Sequence, residues 1–188
     1  MDEFIEYVLQ FGNLNSRQTD LVLSAATELR LQKDGYFSEA GKIPHQVGFV
    51  VEGVVRGCYY NNKGEEITRC FISESSLMVD YPNFESKTAS SEYLQAVTDC
   101  RLLVFEKMDW ESLSDVIVEW EKIKNKMIHK CLLQKNRRIP VISQDATTRY
   151  LEFLTNYPGL VNRVPLTYVA SYLGVTQQSL SRIRKSIA

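Results

Sequence analysis

The chain has 188 residues, 44% hydrophobic and 24% charged, which supports a packed core and excludes intrinsic disorder. No run approaches the roughly 18 consecutive apolar residues of a membrane span, and the acidic start Met1-Asp2-Glu3 is opposite in charge to a secretory signal, so a cytoplasmic protein with no membrane partner is expected. The net charge of −1 carries no mark of a nucleic-acid partner until it is divided: residues 140–188 hold five basic and two acidic residues, a net of +3, which leaves −4 for residues 1–139. A small basic module on an acidic chain is the asymmetry expected when one part meets phosphate and the other does not.

The first 34 residues have helical character. Phe4, Ile5, Val8 and Leu9 recur at helical spacing, as do Leu21, Val22, Ala25 and Leu29 after a capping Ser16. From Asp34 to Lys107 glycines punctuate short runs of β-branched and aromatic residues. The expected strands are 47–52, 54–60, 67–72, 93–97 and 101–105, with Asn61-Asn62-Lys63-Gly64 as a turn. Short strands with frequent glycine turns predict a barrel or roll. The four cysteines, Cys58, Cys70, Cys100 and Cys131, form no C-x-x-C pair and are expected to be buried thiols, with no metal site.

Residues 115–138 are expected to form one long helix whose narrow stripe, Ile117, Trp120, Ile123, Met127 and Cys131, fits a coiled-coil seam between two copies of the chain. The alternative is a surface helix packed on its own β domain. Pro140 must interrupt it, and residues 139–145 are expected to be a hinge. Asp145 caps a helix running to about Tyr157, where Pro158-Gly159 stops it.

Residues 166–173 then form a short helix, Gly174-Val175 turns the chain, and Thr176 caps a second helix through about Lys185. Ala170 is small where the two helices cross, and Gly174 supplies the backbone angle of the turn. Val169, Leu173, Val175, Leu180 and Ile183 form the shared core. This is the spacing of a helix-turn-helix. Gln177, Gln178, Ser181 and Arg182 project from the second helix, where glutamine can bond adenine and arginine guanine in a major groove. Thr176, Ser179, Arg184 and Lys185 are placed for phosphates. A solvated polar face has the same composition, and only its attachment to the two-helix frame sets it apart.

The run Val169-Ala170-Ser171-Tyr172-Leu173-Gly174-Val175-Thr176-Gln177-Gln178-Ser179-Leu180-Ser181-Arg182 resembles the DNA-reading segment of the Crp/Fnr family of bacterial transcription regulators. Gly41, Phe49-Val50-Val51-Glu52-Gly53-Val54-Val55-Arg56 and Gly64-Glu65-Glu66 resemble the family's cyclic-nucleotide-binding roll, so the likeness covers nearly the whole chain. It implies an α+β fold: a jelly-roll-like β-roll with flanking helices (1–114), a dimerisation helix (115–139) and a helix-turn-helix domain (140–188). The implied protein is a homodimer that binds double-stranded DNA, with RNA polymerase as a further partner and Gln177, Gln178 and Arg182 at the base-reading positions.

The ligand cassette departs from the family pattern. Val79 stands where the ribose-binding Gly belongs, Asp80 where the Glu belongs, and Ser90 where the phosphate-binding Arg belongs, just before Ser91; Tyr81 lies alongside. A buried phosphate without its cation is strongly disfavoured, so cyclic AMP is expected not to bind, and the effector is unknown or absent. No cysteine precedes Cys58, against an iron–sulfur sensor, and His45 and His129 give no support to haem, so no cofactor is expected. The family's recognition helix is followed by a β-hairpin wing, whereas this sequence runs only to Ala188; fewer phosphate contacts are expected. Two distant histidines argue against a metal-dependent enzyme of cupin type. The rival reading is an effector-binding or protein-interaction module of the same fold that has lost DNA reading.

Overall fold

The structure is a computed structural model that describes residues 2–136 and 144–187. It is α+β: eight strands form two antiparallel four-stranded sheets, and eight helices lie among the described residues. One sheet has the order β1 (Thr27–Leu31), β8 (Cys100–Glu106), β3 (Gln46–Glu52), β6 (Ser76–Met78). The other has β2 (Tyr36–Ser38), β7 (Tyr93–Ala96), β4 (Val55–Tyr60), β5 (Glu66–Ile72).

Both faces of β3 are covered, which is why Phe49-Val50-Val51 reads as a continuous apolar run rather than an alternation. Val50, Leu102 and Val104 point between the sheets with Val55, Leu94 and Ala96. Val47, Phe49, Val51, Leu103 and Phe105 point the other way, into a core shared with α1 (Asp2–Leu9), α4 (Lys107–Val116) and α5 (Trp120–Lys135). That core is rich in rings, with Phe4 set 5.0 Å from both Phe49 and Phe105.

Two amino-terminal expectations are corrected. The cap of α2 (Ser16–Ser24) is Asn15, not Ser16: its Oδ1 accepts from the Gln18 amide while the Gln18 side chain accepts from the Asn15 amide, both at 2.9 Å. Leu29 lies not on a helix but in β1, opposite Leu102. The alternation Thr27-Glu28-Leu29-Arg30-Leu31 is the period of a half-covered strand.

The expected single helix from 115 to 138 is two helices. Ile117 is extended (φ −122°, ψ 102°), and the break lets Trp120 fold back so that its indole N–H donates to the Trp110 carbonyl at 3.3 Å. The stripe expected to meet a second copy instead faces the chain's own roll. Ile117, Trp120, Ile123, Met127 and Cys131 are each at most 5% exposed, all within the core beneath α1 and β3. The narrow stripe is the footprint of the roll's own core, and among the described residues it leaves no apolar seam on that side. Residues 137–138 and most of the expected hinge, including Pro140, lie outside the described residues.

The remaining helices are α3 (Tyr81–Ser86), α6 (Ala146–Asn156), α7 (Leu166–Leu173) and α8 (Gln177–Ile187). Asp145 caps α6 through the amides of Thr147 and Thr148. The last three helices share one core with Phe71 of β5 and with Val54 and Val97, which flank β4 and β7: these three pack among Phe153, Leu160, Val169, Tyr172 and Leu180.

Candidate functional site

α7 ends on Gly174, whose φ of +67° is left-handed. The Val175 amide donates to the Ala170 carbonyl at 3.0 Å and the Gly174 amide to Ser171 at 3.2 Å, the two bonds of a Schellman turn. Arg149, which belongs to none of the motifs above, reaches from α6 to donate through Nη1 to the Leu173 carbonyl at 2.6 Å. A cation at a helix carboxyl end is favourable, and here it also ties α6 to the turn. Thr176 Oγ1 accepts from the Ser179 amide at 3.1 Å and caps α8.

With Leu180 wholly buried and Ile183 packed against the core, the rotation of α8 is fixed. Thr176, Gln177, Gln178, Ser179, Arg182 and Lys185 are exposed, while Ser181 and Arg184 are half-buried. Gln177–Ile187 contains no acidic residue. The structure therefore gathers the predicted polar residues on one free, amide-rich and cationic edge, which suits a polyanion and can present bidentate donors to base edges.

The predicted effector residues have another fate. Val79, Asp80 and Ser90 are buried, Tyr81 is half-buried and Ser91 faces solvent. Asp80 Oδ2 accepts from Ser90 Oγ at 2.6 Å and from Asn83 at 2.7 Å. Lys135, near the end of α5 and 7% exposed, places Nζ 2.7 Å from Glu92 Oε2 and 3.5 Å from Asp80 Oδ1. Arg69 pairs with the other Glu92 oxygen and reaches Asn136. Burial opposes the charge on Lys135, but Glu92 and then Asp80 outweigh it and hold the ammonium above the ordinary lysine range. Burial likewise opposes ionisation of Asp80, and the Ser90, Asn83 and Lys135 contacts hold it below the ordinary carboxylate range.

The cavity left between Phe71, Leu77, Leu94, Cys131 and Lys135 is about 10 Å³. That is at the lower limit for one water and far below the roughly 300 Å³ of a small-molecule site. The sequence reading missed Lys135, Glu92 and Arg69. A signal was present, because Lys135 continues the buried spacing of Met127 and Cys131.

All four cysteines are free and buried, and no metal-binding group of His, Cys, Asp or Glu occurs among the described residues. No described helix is long and apolar enough to cross a membrane.

No family model matches the sequence, and no curated protein resembles it closely enough to be matched. Solved structures do match. FixK2 from Bradyrhizobium japonicum superposes with a TM-score of 0.74 at 19% identity, over 86% of this chain and 84% of that one. The c-di-GMP-responsive global regulator CLP from Xanthomonas campestris gives 0.70 at 15% identity, over 92% and 91%. The catabolite activator protein of Thermus thermophilus gives 0.58 at 19% identity, over 94% and 85%. At these identities the likeness establishes a shared fold.

Proposed function

We propose that the chain is a sequence-specific DNA-binding transcription regulator of the Crp/Fnr type, acting as a cytoplasmic homodimer without catalytic activity and without response to cyclic AMP. On this reading residues 1–114 are a closed sensor-type roll, 115–139 carry the dimer contact and 140–188 form the helix-turn-helix domain. RNA polymerase is the further partner that such a regulator engages.

The observation that carries the reading is the free edge of α8: Gln177, Gln178 and Arg182 exposed on a helix whose roll angle is set by buried Leu180 and the left-handed Gly174 turn. Resemblance in fold to a global regulator linked to gene expression and to a catabolite activator protein supports it. Insensitivity to cyclic AMP is supported by the internal ion network, since Lys135 already occupies the carboxylates and almost no space remains beside it.

The dimer contact moves to the outward edge of the long helix. Lys122, Asn125, His129 and Leu133 are exposed there at spacings of 3, 4 and 4, which places them along one side facing away from the roll, and Val118 is exposed in the turn just before the helix.

The test is selection of duplexes from random DNA, followed by titration of the selected site. Arg182→Ala is expected to cost about 1–3 kcal/mol and to relax preference at one base position. Failure of the wild-type protein to enrich any sequence, at salt low enough for phosphate contacts to hold, ends the proposal. Calorimetry with cyclic AMP checks the second part, and stoichiometric micromolar binding would refute it.

A further inference from the structure

Strand β5 is the last of its sheet, so one row of its backbone groups has no strand to pair with. The helical unit covers that edge. Ser171 Oγ of α7 accepts from the Thr68 amide at 2.9 Å and donates to the Glu66 carbonyl at 3.1 Å, standing in for a missing strand. Beside it, the Tyr168 ring lies over the Arg56 guanidinium, 3.6 Å from ring centre to Cζ. Arg56 is 1% exposed and is held by Gln95, Thr68 and Glu66. Phe71 of β5 inserts among Tyr172, Phe153 and Tyr157 at 5.5, 6.0 and 6.1 Å. Arg163 closes the far side with a two-pronged pair to Glu74.

We propose that Ser171, Tyr168 and Arg163 are positioning residues that fasten the helical unit to the β5 edge, and that this docked arrangement is the one in which α8 reads DNA. The inference rests on the DNA-binding reading above and adds to it the state in which reading occurs. Two observations carry it. The docking contacts come from α6, α7 and the segment between them, whereas the exposed edge of α8 contributes none, so docking leaves the reading face free. Undocking would open a strand edge, expose Phe71 and strip the aromatic cover from a buried guanidinium, each of which is unfavourable. A swing of the helices away from the roll is therefore not how this protein comes to bind DNA.

The test uses the full chain with Ser171→Ala and Glu74→Gln combined, titrated against the selected duplex at several salt concentrations. Hydrogen exchange at the Thr68 amide is followed in parallel. Weaker docking lowers the populated fraction of the reading state, and the apparent Kd should rise about tenfold. The slope of log Kd against log salt should not change, because the phosphate contacts of α8 remain. Removing a negative charge tightens DNA binding by electrostatics alone, so the predicted loss runs against that effect. Exchange at Thr68 should accelerate while the melting temperature of the roll, which keeps its own cores, stays within a few degrees.

Unchanged affinity, or tighter binding that would make the docked state inhibitory, overturns the inference and leaves the DNA reading intact. Unaltered exchange at Thr68 overturns the fastening role itself. Absence of wild-type binding to any duplex removes the reading of function and this inference together.

Discussion

Lys135 shows how one residue decides what a pocket can do. Its ammonium is buried against two carboxylates, and removing it leaves Asp80 without a cation and Glu92 with Arg69 alone. Lys135→Met should therefore destabilise the chain by about 3–5 kcal/mol at pH 7, the usual result of breaking a buried pair from one side. The pH dependence follows from the two shifts. The Asp80 carboxyl is depressed in the folded state, so its stabilisation is complete above the unfolded value and is lost as pH falls through the folded one. The Lys135 ammonium is raised, so its contribution is complete below the unfolded value and is lost as pH rises through the folded one. The wild type should hold a plateau between these limits. The methionine variant should gain stability as pH is lowered from 7 toward 5, since protonation then relieves the buried carboxylate left without its cation. Urea denaturation across that range measures both, and a variant with wild-type pH dependence would contradict the network.

At the scale of elements, α5 separates two roles that one apolar stripe had been expected to combine. Met127 and Ile123 belong to the fold, while Leu133, 58% exposed, and Val118 in the turn just before the helix, 95% exposed, belong to the outside. Val118→Asp with Leu133→Asp should yield a folded monomer by sedimentation. Met127→Ala should instead lower stability by about 2–5 kcal/mol and leave the oligomeric state unchanged. The reverse pattern would restore the inner stripe as the contact.

What the sequence made legible follows the same physics. β3, β4, β5, β7 and β8 were readable because their glycine and turn boundaries are local. α7, Gly174 and α8 were readable because the turn needs a left-handed residue and α8 needs an inward Leu180. β1 was missed because its five residues extend a helical pattern and gain meaning only opposite Leu102, about seventy residues away. Periodicity located the buried face of α5 but could not name what buries it, since a roll and a second helix select the same spacing.

At the scale of the molecule, the two ends of the chain share a core. Val54, Phe71 and Val97 of the roll are packed by Phe153, Tyr157 and Tyr172 of the helices, so the helical unit completes its apolar interior on the roll, which has two further cores of its own. The full chain should melt in a single calorimetric transition whose van't Hoff and calorimetric enthalpies agree. Two resolved transitions would mean that the helical unit and the roll unfold independently. Because α8 is carried by α7, and α7 by β5, any change in roll stability is also a change in the presentation of Gln177 and Arg182.

The cover over β5 has a bearing on how the protein is made. Thr68 and Ser171 are 103 residues apart, and a ribosome adding roughly 5–20 residues per second needs several seconds to pass from one to the other. Throughout that interval the nascent roll presents an unprotected strand and a bare Phe71, the features by which growing chains stick to one another. Synthesis speed and chaperone occupancy over this window should govern the yield of soluble protein more strongly than the stability of the finished fold.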